Sequence, residues 1–346
     1  MNPGRNAHGQ TGVCVTAWTG RAACKSCRCE RRQTPPHGGS ELTERLKPRL
    51  GKLQAPQFRW APRLPSASSR VLSDVERCAK SQPVKAVLYT LGAAAAIYAL
   101  LCALLFLAQG RMLYLPTRET SPPGARAIRL KRPDATLKVW ELHADKGPAL
   151  IYFGGNAEDV SASLADFDAM LPDRAVYLVN YRGYGGSTGT PSEAALIADA
   201  VASYDWVAAR HGRVAVIGRS LGSGVAIALA AQRPVDQLVL VTPYDSITNV
   251  AADHFPWFPV RWLLRDRYDS LERIDRLRAP TLLLIAEHDE VVLRERSAAL
   301  LAGMQSQLAH PVVIAGATHN DVSLSPDYWR TLREFLAATP AVAAGP

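Results

Sequence analysis

The stretch "VAVIGRSLGSGVAIALAAQ" at 214–232 constrains the fold of this chain more than any other. An apolar run leads into the pentapeptide "GRSLG", and a segment rich in small residues follows it. This order predicts a buried strand, a sharp turn and a helix, with Ser220 held at the turn in a strained backbone conformation. Gly218 and Gly222 are needed because side chains would collide across so tight a turn. Ser220 is therefore the candidate nucleophile.

A second Gly-x-Ser-x-Gly match, "GGSTG" at 185–189, has a different context. Thr190 is predicted to cap the helix that follows, with Pro191 at the first helical position and Glu193 closing a capping box. The helix then begins after Ser187, which stays in a glycine-rich loop with no helix terminus beside it. We interpret Ser187 as an accidental match.

Short apolar runs alternate with longer amphipathic stretches after residue 112. The predicted strands are 137–144, 149–153, 175–181, 214–218, 238–244, 280–288 and 311–316. Several are continuous apolar runs, as in strands that are buried on both faces of a parallel sheet. Helices are predicted between them, for example at 191–210 and 221–233. The pattern predicts an α/β fold, with a mostly parallel sheet flanked by helices.

No charged residue occurs from Ala86 to Ala108, a run of 23 residues. Since about 20 helical residues cross the hydrocarbon core of a bilayer, we predict a single transmembrane helix at 84–110. The segment before it is too long for a cleaved signal peptide, so the helix is expected to stay as an anchor. The basic tail before the span favours a cytoplasmic N-terminus and an extracytoplasmic domain at 111–340.

Positive charge is concentrated at the start of the chain. Residues 1–70 carry 13 Lys or Arg and three Asp or Glu, a net charge of +10, whereas the whole chain carries +9. The rest is nearly neutral, which argues against nucleic-acid binding by the folded part. We expect residues 1–83 to be a disordered basic leader, or to precede the true translation start. "CKSCRC" at 24–29 with His37 lacks the second cysteine pair of usual zinc sites, and no metal or other cofactor is predicted.

A serine hydroxyl becomes a good nucleophile only with a base and an orienting acid. A serine on such a strand–turn–helix is followed along the chain by the acid and then by the histidine. Asp289 comes just past the strand predicted at 280–288, and His319 just past the strand predicted at 311–316. We predict a Ser220–His319–Asp289 triad. The alternative acids are Glu287, Glu290 and Asp321, and the alternative base is His288.

The oxyanion of an attacked carbonyl needs two N–H donors. Leu221 follows the serine at a helix N-terminus and supplies one from its backbone. The second is expected from the loop after an early strand, "IYFGGNAEDV" at 151–160. We favour the N–H of Asn156, with Gly155 as the next candidate.

These motifs together resemble the membrane-anchored, Bem46-like α/β-hydrolases, often labelled serine aminopeptidase-like. The resemblance covers about 210 residues, from "RMLYLPT" at 111–117 to "GATHND" at 316–321. It includes "FGGNAE", "NYRGYGGSTGTPSE", "GRSLGSG", "TPYDSI", "RYDSLERI" and "AEHDEVV". It implies an α/β-hydrolase fold with the triad above and a site that Tyr181–Gly185 helps to shape, so that Tyr181 is a candidate substrate contact. Many relatives have His-Gly-Asn where this chain has Gly154–Asn156.

A small helical cap is expected at about 246–276, over the predicted site. Its aromatic residues either line an acyl pocket or pack the cap onto the domain, and of these Phe255 and Trp257 are the candidate substrate contacts. The sequence thus predicts a membrane-anchored serine hydrolase that cleaves acyl esters or thioesters of a small-molecule, lipid or acylated substrate. An amidase or aminopeptidase with the same triad and a catalytically idle binding protein with this fold remain alternatives. The acyl group, the leaving group and the oligomeric state stay open.

Overall fold

The computed structural model of this protein describes residues 82–338. The predicted leader, apart from its last two residues, and the cysteine cluster at 24–29 lie outside the described residues. The first element is a long helix, α1 (Gln82–Leu113). Of the helices in residues 82–338, α1 is the one that is long and apolar enough to cross a membrane. Its apolar side chains are mostly exposed, as lipid-facing side chains would be.

One eight-stranded sheet forms the centre of the domain. Its strands are β1 (Arg126–Lys131), β2 (Thr136–Leu142), β3 (Ala149–Phe153), β4 (Ala175–Val179), β5 (Val214–Arg219), β6 (Leu238–Val241), β7 (Thr281–His288) and β8 (Ala309–Thr318). They lie in the order β1-β2-β4-β3-β5-β6-β7-β8, and the pairs from β4 to β8 are parallel. The pairs β1–β2 and β2–β4 are antiparallel. The predicted α/β-hydrolase fold is confirmed.

The strand β1 was not predicted. Its sequence "RAIRLK" lies at the edge of the sheet and is largely exposed, with three of its six residues charged. An edge strand next to solvent keeps charged side chains, so its apolar signal is weak. The central strands are buried on both faces, which is why their continuous apolar runs were recognisable.

Helices cover both faces of the sheet. They are α2 (Leu164–Met170), α3 (Glu193–Ala208), α4 (Leu221–Ala230), α5 (Ile247–His254), α6 (Val260–Leu263), α7 (Arg294–Gly303) and α8 (Pro326–Ala337). Apolar side chains of α3 and α4 pack on one face, and those of α2 and α8 on the other. The short helices α5 and α6 lie between β6 and β7, within the segment 246–276 that is called the cap insert below.

The helix α3 begins two residues later than the predicted cap at Thr190 implies. Ser192 is the N-cap, and its hydroxyl accepts the N–H of Ala195. Glu193 does not close a capping box. Its carboxylate instead accepts the backbone N–H groups of Arg267 and Tyr268, which ties the cap insert to the domain. The capping-box sequence is present, but the Glu193 carboxylate binds the cap insert instead of the N-terminus of its own helix.

A buried ion pair holds the loop after β4. Arg182 donates two hydrogen bonds to the Asp199 carboxylate of α3, at 2.8 and 2.9 Å. Both side chains are buried, and the bonds to Asp199 hold the pKa of Arg182 above its ordinary value. Arg182 also donates to the exposed carboxylate of Asp134, at 2.8 and 3.3 Å. Removing Asp199 would therefore leave the buried guanidinium with one exposed partner, and breaking a buried pair is strongly destabilising.

We expect Asp199→Asn to lower the free energy of unfolding by about 3 kcal/mol, because Arg182 loses its buried counter-ion. In a domain of this size the melting temperature should fall by about 6 to 12 °C, measured by differential scanning fluorimetry of the detergent-solubilised protein. The control is Asp205→Asn, on the same helix, whose pair with Arg233 is largely exposed. The Asp205→Asn substitution should lower the free energy of unfolding by less than about 1 kcal/mol. Equal losses in the two variants would contradict the buried-pair account.

Candidate active site

Ser220 occupies the sharp turn between β5 and α4. Its backbone has φ +49° and ψ −116°, a strained conformation for a residue with a side chain. A side chain on Gly218 would collide with Ala226 and with the backbone of Gly222. A side chain on Gly222 would collide with the carbonyl of Phe153. Both glycines are therefore required by close packing, and the turn presents the serine at the end of β5.

The structure brings Ser220, His319 and Asp289 together. The Ser220 Oγ lies 2.9 Å from His319 Nε2. The other ring nitrogen, Nδ1, lies 2.9 Å from each carboxylate oxygen of Asp289. Since a carboxylate only accepts, Nδ1 carries the proton and Nε2 is free to accept from the serine hydroxyl. This arrangement can move a proton from Ser220 to His319.

The alternative acids and base have other partners. Glu287 accepts the backbone N–H of Gly316 at 2.8 Å, and Asp321 accepts that of Thr318 at 2.6 Å. Glu290 reaches only the backbone N–H of His319, at 3.5 Å. The His288 side chain is largely exposed. The Asp289 carboxylate also accepts the N–H groups of Val291 and Val292, which fix its loop.

The predicted oxyanion donors separate into two groups. Leu221 opens α4, so its N–H has no acceptor within the helix. The N–H of Asn156 has no hydrogen-bond acceptor in the part of the chain that the structure describes. Gly155 is different, because its N–H donates to Glu158 Oε2 at 2.6 Å. The expectation that Gly155 could donate to the oxyanion is therefore corrected, since that N–H is already bound.

Gly155 nevertheless brings its loop close to the nucleophile. A side-chain carbon at this position would lie 3.6 Å from the Cβ of Ser220 and 3.3 Å from Glu158 Oε2. The absence of a side chain lets the loop after β3 rest against the serine turn. Gly155 thus contributes close packing rather than a donor.

The side chain of Asn156 ties this loop to the segment after α1. Its Oδ1 accepts the N–H of Leu115 at 3.0 Å and the hydroxyl of Tyr184 at 2.9 Å. Burial raises the pKa of Tyr184 to about 12, so its hydroxyl stays protonated and donates. Leu115 lies two residues beyond the end of α1. The polypeptide leaving the apolar helix is therefore hydrogen-bonded to the loop that carries the candidate oxyanion donor.

The pair Arg219–Glu158 links three loops of the site, and the sequence analysis did not identify it. Arg219 Nη1 lies 2.9 Å from Glu158 Oε2, and its Nη2 donates to the carbonyl of His319 at 3.2 Å. The other Glu158 oxygen accepts the hydroxyl of Tyr152 at 2.6 Å. The signal in the sequence was weak: Arg219 directly precedes Ser220, and Glu158 comes two residues after Asn156.

The three predicted substrate contacts have different environments. Tyr181 is buried, and its hydroxyl donates to the carbonyl of Gly154 at 2.8 Å, so it shapes the oxyanion loop. Phe255 is partly exposed and lines an apolar groove beside α1. Trp257 is 85% exposed and does not line that groove. The predicted role of Trp257 in a substrate pocket is therefore corrected.

The hydroxyl of Ser187 is bound to the backbone and not to a base. Its buried hydroxyl accepts the N–H of Lys138 at 2.8 Å and donates to the carbonyl of Asn180 at 3.0 Å. Both bonds join the glycine-rich loop to the sheet. The hydroxyl has no histidine partner among residues 82–338.

Comparisons with known proteins agree with this architecture. A family model described as "alpha/beta hydrolase fold" matches residues 148–273. An uncharacterised protein of Mycobacterium tuberculosis is 36% identical over 249 residues, covering 67% of this chain and 88% of the relative. Protein bem46 of Schizosaccharomyces pombe is 30% identical over 217 residues, covering 59% of this chain and 72% of the relative.

A solved structure has the same fold. An esterase of Pyrococcus furiosus, Pf2001, superposes with a TM-score of 0.55 at 16% identity, covering 64% of this chain and 97% of that one. At this level of identity the likeness concerns the fold alone.

The two serines can be separated experimentally. We expect Ser220→Ala to abolish labelling by a fluorophosphonate probe and to lower ester turnover by about 10⁴-fold or more, because the base then has no nucleophile to activate. Asp289→Asn should lower turnover by about 10³- to 10⁴-fold, because His319 would be held in the wrong tautomer. The measurements are gel fluorescence and initial rates on the full-length protein in detergent.

Ser187→Ala is the matched control, since it removes a serine hydroxyl from the other Gly-x-Ser-x-Gly sequence. It should keep its labelling, and a reduced melting temperature would report the two lost hydrogen bonds. Labelling that disappears in Ser187→Ala and persists in Ser220→Ala would contradict the assignment.

Proposed function

Since the chain belongs to the Bem46-like family of α/β-hydrolases, we propose that it is a membrane-anchored serine hydrolase that cleaves acyl esters or thioesters. The observation that carries the proposal is the 2.9 Å contact between Ser220 Oγ and His319 Nε2, with Asp289 on the opposite ring nitrogen. The N–H of Leu221, directly after the serine, and the loop of Asn156, which packs against the serine at Gly155, support it further.

In the first half of the proposed reaction, Ser220 Oγ attacks the carbonyl carbon of the substrate and its proton passes to His319 Nε2. The carbonyl oxygen becomes an oxyanion, which the N–H groups of Leu221 and Asn156 stabilise. The positive charge at the N-terminus of α4 adds to this stabilisation. The tetrahedral intermediate then breaks its bond to the leaving alcohol or thiol, which takes the proton from His319 and departs.

In the second half, a water molecule attacks the acyl-enzyme and gives one proton to His319. Collapse of the second tetrahedral intermediate breaks the bond to Ser220 Oγ, which recovers the proton. The products are a free acid and the alcohol or thiol released earlier. Asp289 keeps His319 oriented and stabilises the imidazolium in both halves.

The helix α1 supports the anchoring part of the proposal. It contains the 23 uncharged residues, and its apolar side chains are exposed along most of its length. A soluble protein seldom exposes so continuous an apolar surface. We propose that α1 crosses the membrane once and that the hydrolase domain is extracytoplasmic, on the side opposite the basic leader.

The substrate class can be tested with two series of chromogenic compounds, p-nitrophenyl esters and aminoacyl p-nitroanilides. We expect turnover of the esters and little turnover of the amides, measured as kcat/KM on the full-length protein, with Ser220→Ala as the blank. Faster cleavage of the amides would favour the aminopeptidase alternative. A folded protein with no turnover of either series would favour a binding protein with this fold.

The orientation can be tested in sealed right-side-out vesicles. If the leader is cytoplasmic, added protease should digest the hydrolase domain and leave an epitope fused before Met1 protected. A reporter fused after Pro346 should also behave as extracytoplasmic. Digestion of the domain only after the vesicles are opened would reverse the orientation.

A further inference from the structure

An apolar groove of about 530 Å³ lies between α1 and the cap insert. Its volume is within the range of small-molecule sites, about 300 to 1,000 Å³. One wall is the C-terminal part of α1, and the other wall is α5, α6 and the residues between them. The lining residues include Leu105, Gln109, Leu113, Ala251, His254 and Phe255. None of them is acidic, and the two polar ones are Gln109 and His254.

The cap insert is fixed to α1 at two levels, and the groove remains unfilled beside them. Near the middle of the helix, the Tyr98 hydroxyl donates to the carbonyl of Trp257 at 2.9 Å, and its ring stacks on Phe258. Nearer the end, the Gln109 side chain donates to the carbonyl of Leu263 at 3.1 Å and accepts the N–H of Arg265 at 2.8 Å. These contacts satisfy polar groups of the cap and of α1, so that the groove itself stays apolar.

The length of α1 places this groove at a membrane boundary. At 1.5 Å per residue its 32 residues extend about 48 Å, whereas a hydrocarbon core is about 30 Å thick. A span that begins after Lys85, the last charge before the apolar run, reaches the far side of the core near Leu105. Tyr98 then lies about 10 Å inside that boundary and Gln109 about 6 Å beyond it. On α1 the groove therefore begins at this boundary, at Leu105, and extends about 12 Å to the headgroup side, to Leu113.

The tip of the cap has the side chains of a membrane-contacting segment. Trp257 and Trp262 are 85% and 86% exposed, and Phe255 is exposed as well. Tryptophan is enriched at the membrane–water interface, where an apolar ring carries a polar N–H. Short amphipathic helices lie at this depth with their apolar faces towards the acyl chains. Since Tyr98 donates to the carbonyl of Trp257, this placement puts the exposed ring of Trp257 on the acyl-chain side of the boundary.

Two hydrogen bonds link the rims of the groove to loops of the candidate active site. At one rim, Leu113 is followed by Tyr114 and by Leu115, whose N–H is bound by Asn156 of the oxyanion loop. At the other rim, His254 Nε2 lies 2.8 Å from the carbonyl of Val291, in the loop whose N–H groups hold Asp289.

We propose that this groove binds the long hydrocarbon chain of a membrane-lipid ester, which enters sideways from the bilayer along α1. The proposal rests on the hydrolase function above and names its substrate class, an ester of a long-chain fatty acid in a bilayer lipid. The apolar lining fits a chain without polar groups, and the position at the boundary lets the ester group stay at headgroup level. The anchor helix then serves as a wall of the acyl site as well as an attachment.

Two adjacent alanines of α5 provide a matched test. Ala251 lines the groove and its neighbour Ala252 does not, and both are half-buried. We expect Ala251→Trp to lower the ratio of kcat/KM for p-nitrophenyl palmitate to that for p-nitrophenyl butyrate at least about tenfold, because the indole ring would occupy the space of several methylenes of the longer chain. Ala252→Trp should leave the ratio at its wild-type value. The assay uses the full-length protein in phosphatidylcholine nanodiscs, with melting temperatures as the folding control.

A binding measurement tests the groove independently of turnover. Full-length Ser220→Ala in nanodiscs is irradiated with phosphatidylcholine that carries a diazirine in one acyl chain, and labelled peptides are mapped by mass spectrometry. We expect labels in 105–113 and 247–264 that Ala251→Trp reduces and Ala252→Trp does not. Labels confined to the outer surface of α1, or equal effects of the two tryptophans, would overturn the proposal. If no ester is hydrolysed, the proposed function fails, and this labelling still decides whether the groove takes a lipid chain.

Discussion

The turn at Ser220 is the constraint on which the arrangement of the site depends. A central strand buried on both faces must pass into a helix within one residue, and the serine accepts a strained backbone to do so. Gly218 and Gly222 leave room for α4 and for the end of β3 to pack against this turn. Because parallel strands all end at the same edge of the sheet, the loops after β3, β7 and β8 arrive beside the serine. The strain is tolerated because buried strands surround the turn and hold it.

The Arg219–Glu158 pair fixes the positions of the loops that meet at this edge of the sheet. One carboxylate takes the N–H of Gly155, the hydroxyl of Tyr152 and a guanidinium nitrogen, while the same guanidinium reaches the carbonyl of His319. Burial, and then the charge of Glu158, raise the pKa of Tyr152 well above its ordinary value, so this donor stays protonated. The loop after β3, the turn at Ser220 and the loop after β8 are thereby held by one partly buried pair. Because the Glu158 carboxylate occupies the N–H of Gly155, Asn156 remains the candidate oxyanion donor of that loop.

The apolar helix is built into the domain more closely than a simple anchor would be. Its polar side chains hold the cap, and the residues after it reach the cap through Tyr114, whose hydroxyl contacts Asp266 and Tyr268. Burial is the main cause of the raised pKa of Tyr114, so its hydroxyl remains a donor to Asp266. Leu115 then binds Asn156. A displacement of α1 relative to the domain would therefore be felt at the cap and at the oxyanion loop together.

The sequence by itself determined the fold class, the apolar helix and the chain order of Ser220, Asp289 and His319. These follow from local signals: continuous apolar runs, a turn that only glycines permit, and residues that directly follow strands. Only the tertiary structure shows that the N–H of Gly155 is occupied, because its partner is the carboxylate of Glu158, which Arg219 holds in place. The tertiary structure likewise determines that Glu193 binds the cap insert, that Trp257 is exposed and that a groove lies beside α1. Each of these depends on which distant segment comes into contact, and periodicity along the chain carries no record of such contacts.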